Sequence, residues 1–75
     1  MQLNSVKPNQ SGKIVKIDAS GAIKRRMLDM GLVKGCVVTV NKVAPLGDPI
    51  EVSVKGYHLT LRKAEAKLIE LEDVQ

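Results

Sequence analysis

Aromatic residues are almost missing from this sequence: one tyrosine, no tryptophan and no phenylalanine in 75 residues. The core must therefore be built from Val, Leu, Ile and Met. A platform for stacking single-stranded nucleic acid needs several aromatic faces, and Tyr57 alone cannot supply it. Cysteine is as scarce, because Cys36 is alone and closes no intramolecular disulfide. That excludes a small stapled secreted scaffold and points to a reducing compartment. No apolar run approaches the ~20 residues of a membrane span, and the opening MQLNSVKPNQSG has no apolar signal-like stretch. The expectation is a cytoplasmic chain. There is a single histidine, and acidic residues (8) are outnumbered by Lys and Arg (12), a net charge of +4 that allows an anionic partner without choosing one.

What is present suits a folded domain. Hydrophobic residues make up 44% and charged residues 27%, well away from the composition of disordered chains. A length of 75 residues allows one small domain, 1–75, which buries only roughly 60% of the surface its unfolded chain exposes.

Periodicity along the chain predicts mostly strands. The opening residues are polar, with Pro8 opposing regular pairing, and read as an arm leading to a first strand near Gly12. GKIVKID carries Ile14, Val15 and Ile17 among lysines. The period then changes: Ile23, Met27 and Met30 fall at i, i+4 and i+7 on one helix face, Leu28 flanks them, Ser20 is placed to cap the start, and Gly31 is placed to end the helix. CVVTVNKV reads as a strand with Val38 and Val40 on one side. PIEVSVKG alternates strictly, with Ile50, Val52 and Val54 inward. Lys55-Gly56 makes a tight turn, with positive φ expected at Gly56, into YHLTL, where Tyr57, Leu59 and Leu61 share a face. RKAEA is long enough for one helical turn only, and KLIEL reads as a last strand. About five short strands with one short helix imply a mainly β, strongly bent antiparallel barrel, since closing the sheet removes exposed edges.

Between two of these strands lies VAPLGDPIEV. Pro45 presets φ, Leu46-Gly47 can take the centre of a turn with positive φ at Gly47, Asp48 can bond locally, and Pro49 holds Asp48 extended. Turning the chain accounts for all of these except Leu46, an apolar residue that a turn does not require. A stiff loop also loses little entropy on binding, which suits docking through Pro45, Leu46, Gly47 and Asp48.

No catalytic constellation is visible. The Gly-rich spacing of a phosphate loop is missing around Gly21 and Lys24, and His58, between Tyr57 and Leu59, has no neighbouring Ser or Cys to activate; the expectation is no enzyme and no cofactor. Cys36, Asp48, Glu51 and His58 are metal-ligand types, yet no C-x-x-C, H-x-x-x-H or carboxylate cluster joins them. Cys36 reads as a small buried hydrophobe and His58 as an exposed polar residue. Asp48 and His58 remain as weak transition-metal candidates.

The helix carries a run of cations, Lys24, Arg25 and Arg26, in its first half, where they oppose the helix dipole by a few tenths of a kcal/mol each. Arg25 and Asp29 are spaced i, i+4 in the weaker orientation. The plain reading is solvation or pairing with Glu70 or Glu72 on the last strand. The functional reading is a basic face for an acidic partner, or, as an alternative function, a small nucleic-acid-binding barrel.

Three stretches, RMLDMGLVKG (26–35), APLGDPI (44–50) and LTLRKAEAKLIEL (59–71), together with GKIVKI, resemble the FeoA-type ferrous iron transport proteins. The family usually has leucine where Met27 and Met30 stand, a volume-tolerant exchange, and often proline in place of Lys34. The resemblance implies a small SH3-like barrel that acts as a non-catalytic accessory of ferrous iron uptake. Its implied partner is the cytoplasmic G-protein region of the FeoB-type permease, with the membrane reached only through that permease and no nucleic acid bound. A homo-oligomer stays open.

Overall fold

The computed structural model describes residues 1–75. A 3-10 turn at Leu3–Ser5 is followed by β1 (Ser11–Ile17), α1 (Gly21–Asp29), β2 (Val37–Val43), β3 (Ile50–Val54), β4 (Tyr57–Leu61), α2 (Lys63–Ala66) and β5 (Ile69–Glu72). The strands form one antiparallel sheet in the order β4-β3-β2-β1-β5. β1 gives its first residues to β2 (Ser11 opposite Thr39) and its later ones to β5 (Ile17 opposite Ile69), so the sheet rolls over on itself. Register shifts between Ile14 and Lys16 and between Val40 and Lys42 add local bending. The mainly β architecture with one main helix expected from periodicity is the one observed.

The inner face is aliphatic throughout. Ile14, Val38, Val40, Ile50, Val52, Val54, Leu61, Ile69 and Leu71 are buried from the five strands. The outer face of the sheet is polar and partly cross-linked: Ser11 and Thr39 hydroxyls meet at 2.7 Å, and the Asn41 amide donates to Ser53 Oγ at 2.7 Å. Gly12 is enclosed where β1 passes β5; a Cβ built there would lie 2.9 Å from Val74 Cγ2 and 3.0 Å from Leu71 Cβ.

Three expectations need correction. The opening arm is part of the core: Leu3 and Val6 are buried, Leu71 N–H donates to Met1 C=O, and Asn9 N–H donates to Val40 C=O. Two apolar residues three apart in a polar stretch carry no strand period, so this segment was legible only as an arm. In α1, Met27 is fully buried and Met30 half-buried, but Ile23 and Leu28 are 48% and 46% exposed. The helix reaches the core through Met27 and, just beyond its end, Met30 and Leu32, so Ile23 in the first turn lies off the core and Leu28 stays on the flank. Tyr57 shares the inward register of Leu59 and Leu61 yet is 70% exposed: it stands at the turn end of the edge strand, while Val54, its partner on β3, holds the core position.

The ends of α1 are unequal. Ser20 occupies the N-cap position, but its hydroxyl makes no capping bond. At the other end Gly31 (φ +90°) donates to Leu28 C=O and Leu32 N–H donates to Met27 C=O, a complete Schellman closure with Leu32 and Met27 both in the core. In the β3–β4 turn both Lys55 (φ +51°) and Gly56 (φ +82°) are left-handed, the pattern of a type I′ turn.

Candidate functional site

The chain between β2 and β3 forms a fixed projection. Gly47 N–H donates to Ala44 C=O at 2.7 Å, so Pro45 and Leu46 are the central residues of the turn and Gly47 (φ +86°) follows them. This differs from the expected Leu46-Gly47 centre: proline's fixed φ suits the first central position, which moves the turn one residue earlier. Ala44 N–H donates to Pro49 C=O at 3.1 Å and closes the loop at its base. Leu46 stands at the tip, 94% exposed, while Pro45 and Asp48 are exposed and Gly47 is half-buried.

Asp48 does not bond locally, as its sequence neighbourhood suggests. Its Oδ1 accepts from Lys63 N–H at 3.0 Å, the first residue of α2. A free N–H in the first turn of a helix is a strong call on a carboxylate, and here the tertiary fold brings one from 15 residues away. The Asp48–Pro49 peptide is cis.

Beside the loop runs a groove of about 410 Å³ lined by Arg26, Asp48, Pro49, Thr60, Leu61 and Arg62. Arg26 is paired with Glu65 of α2, not with Glu70 or Glu72 on β5. The Glu65 side chain is only 10% exposed, and its Oε1 accepts from Arg62 N–H at 2.9 Å. Glu70 instead meets the Met1 ammonium at 3.2 Å. Proximity decided between the carboxylates: α2 follows directly on Arg62, which lines the same groove as Arg26, whereas β5 lies at the opposite edge of the sheet from β4.

Of the residues the sequence singles out, Arg26, Asp48 and the loop therefore come together. Lys24 and Arg25 do not: both are exposed, neither forms an ion pair, and the i, i+4 contact of Arg25 with Asp29 is not made. His58 lies elsewhere, on β4, with Nδ1 3.7 Å from Glu51 Oε1, and Lys42 Nζ approaches the other Glu51 oxygen at 3.8 Å. His58 borders a second groove of about 420 Å³ with Asp29, Met30, Tyr57 and Leu59. Asp48 and His58 thus line different grooves, and no three His, Cys, Asp or Glu side chains gather at one point. Cys36 is half-buried and packs against the core.

Residues that sequence reasoning passed over are Arg62, Lys63 and Glu65. The run RKAE after β4 was legible as a helical turn, but its charges acquire meaning only when α2 is placed against the loop and α1.

With this geometry in hand, comparison with known proteins is specific. Residues 1–73 match the sequence model of the FeoA domain. A fusion of Fe(2+) transport protein A with the Fe(2+) transporter FeoB from Porphyromonas gingivalis is 35% identical over 72 residues, covering 96% of this chain and 8% of the fusion. The iron(II) transport protein A of Clostridium thermocellum superposes with a TM-score of 0.93 at 39% identity, over 96% of this chain and 44% of that one. The FeoA of Stenotrophomonas maltophilia, solved with zinc and described as a prokaryotic SH3 domain protein, superposes with a TM-score of 0.84 at 30% identity, over 96% of this chain and 89% of its own. The chain spans less than half the length of the first two of these relatives.

Proposed function

The chain belongs to the FeoA domain family, and on that premise we propose that it is a non-catalytic accessory protein of ferrous iron uptake that binds the cytoplasmic G-protein region of a FeoB-type permease. The observation that carries this reading is the Porphyromonas gingivalis fusion, in which a segment similar to almost the whole of this chain is covalently joined to a FeoB transporter. Two modules fused in one protein commonly act on one another, and separate chains then need a docking surface. No helix here is long and apolar enough to cross a membrane; in this reading the chain meets the membrane through the permease. Residues 1–75 act as one SH3-type unit.

The docking surface we assign is the 44–49 loop, through Pro45, Leu46, Gly47 and Asp48, with Arg26 lining the same groove and the exposed cations Lys24 and Arg25 of α1 as a separate basic contact. Leu46 supports it: a leucine 94% exposed at the tip of a turn closed by two backbone hydrogen bonds gains hydrophobic stabilisation only when a partner covers it. The alternative of a nucleic-acid surface on the same cations is weakened by Glu65, which takes up Arg26, and by the single aromatic residue of the chain.

The test is a calorimetric titration of the chain into the isolated G-protein region, with GDP and with a non-hydrolysable GTP analogue. Saturable binding with a Kd of about 1–100 μM, the range of a small transient interface, is expected. Absence of heat change under both nucleotide conditions at concentrations well above that range defeats the reading.

A further inference from the structure

The two edges of the sheet are treated differently. Along β5 the edge is covered: Leu71 N–H donates to Met1 C=O at 2.7 Å, the Met1 ammonium donates to Leu71 C=O at 2.9 Å, and Gln2 bridges to Glu70. Along β4 nothing covers it. The two-residue turn makes Val54 and Tyr57 a hydrogen-bonded pair, and by alternation Leu59 and Leu61 also bond to β3. The N–H and C=O groups of His58 and Thr60 therefore point away from the sheet, and no backbone or side-chain bond outside the β3 pairing reaches them.

Natural edge strands are usually blunted by charge, proline or a bulge. β4, with the sequence YHLTL, has no formally charged residue and no proline, and its pairing with β3 runs without a register shift. On its inward side burial fades from Leu61 (0% exposed) through half-buried Leu59 to Tyr57 (70% exposed). The groove of about 420 Å³ runs beside this strip and is also lined by Asp29, the last residue of α1, and by Met30, which caps it. An added strand would hydrogen-bond to His58 and Thr60 and set its inward side chains over Leu59, Tyr57 and Met30.

Charge identifies the occupant. β4 is flanked by Lys55 on one side and by Arg62 and Lys63 on the other, and none of their side chains forms an ion pair. A second copy joined antiparallel about Leu59 would set Lys55 opposite Lys63 and Gly56 opposite Arg62, a like-charge contact repeated at both ends. An extended peptide with carboxylates at both ends meets those cations instead. We propose that the free edge of β4 is a strand-addition site for an extended, alternating apolar segment of a partner protein flanked by acidic residues. This is independent of the docking assigned to the 44–49 loop.

The experiment uses the full chain labelled with ¹⁵N and the probe acetyl-Glu-Glu-Val-Thr-Val-Thr-Val-Glu-Glu-amide. Expected are saturable downfield shifts of the His58 and Thr60 amides, with their hydrogen exchange slowed by about tenfold or more at saturation. The same peptide with lysine flanks, and the acidic peptide against Tyr57→Ser, should each bind about tenfold more weakly, with the rest of the Tyr57→Ser spectrum unchanged. The proposal is overturned if no shift saturates, if the lysine-flanked peptide binds equally well, or if shifts fall on the 44–49 loop in place of β4. Protection of His58 and Thr60 in the peptide-free chain, rising with protein concentration, would identify a second copy as the occupant and overturn it too.

Discussion

Arg26 of α1 and Glu65 of α2 form an ion pair in which the two partners see different surroundings: the arginine side chain is 55% exposed, the glutamate 10%. Glu65 also accepts from Arg62 N–H, so one nearly buried carboxylate ties the main helix to the start of α2. The arginine is therefore read first as structure and only second as a docking cation.

Removing that arginine should leave Glu65 short of its counter-charge. Arg26→Ala is expected to cost about 1–2 kcal/mol, between an exposed pair and a buried one because Arg26 is half in water. Thermal denaturation should show this as a fall in Tm of about 5–15 °C for a domain this size. Adding Glu65→Gln, which keeps an acceptor for Arg62 N–H but removes the stranded charge, should restore part of the loss. A double variant less stable than Arg26→Ala would contradict the assignment.

The helix makes a sharper contrast. Met27→Ala removes a fully buried side chain and should cost about 2–4 kcal/mol in urea denaturation, a transfer loss plus an unfilled cavity. Ile23→Ala, on the face that periodicity placed inward, should cost under about 1 kcal/mol, since Ile23 is already 48% exposed. Equal losses at the two positions would show that the whole helix face is buried.

Gly12 is held to glycine by space. Its Cβ position lies 2.9 Å from Val74 Cγ2, 3.0 Å from Leu71 Cβ and 3.1 Å from Leu71 Cδ1. Gly12→Ala must push β5 and the chain after it outward, at about 1–3 kcal/mol. Val74→Ala in the same chain should recover only part of this, because the Leu71 contacts remain. A Gly12→Ala protein as stable as the parent would rule out the close approach.

Two neighbours in the loop should separate cleanly. Asp48→Ala removes the acceptor for Lys63 N–H and should lower stability by about 0.5–1 kcal/mol, with Asp48→Asn largely retaining it. Leu46→Asp, at a residue 94% exposed, should change stability by less than about 0.5 kcal/mol. In the titration against the permease region it should weaken binding by about tenfold or more. Loss of the fold on Leu46→Asp would make Leu46 a core anchor and end its role as a docking residue.

Much of the architecture was legible because it rests on short-range pattern. β3 could be read residue by residue, since Ile50, Val52 and Val54 alternate with Glu51 and Ser53 and the observed burial follows them. Gly31 announced the end of α1, and the tight turn before β4 followed from Gly56. The misread positions are those where the same pattern meets different surroundings. Tyr57 has the inward register of Leu61 but stands at the turn end of the edge strand, where it is exposed. Leu3 and Val6 have no readable period but are carried into the core by a single 3-10 turn.

The candidate site divides along the same line. Residue types and spacing by themselves determined an aliphatic core, five short antiparallel strands, a stiff loop carrying one unexplained leucine, and a family signature spread over most of the chain. The first three follow from composition, from hydrophobic alternation or from φ preferences that act within a few residues, and the last from resemblance of the motifs. Which charges meet was decided only by the tertiary structure. Arg26 finds Glu65 and not Glu70 or Glu72, Asp48 serves the N–H of Lys63, and β4 is left with a bare edge while the chain's first residues cover β5. Those outcomes depend on distances between segments up to 70 positions apart, set by how the sheet rolls and where α2 packs against it.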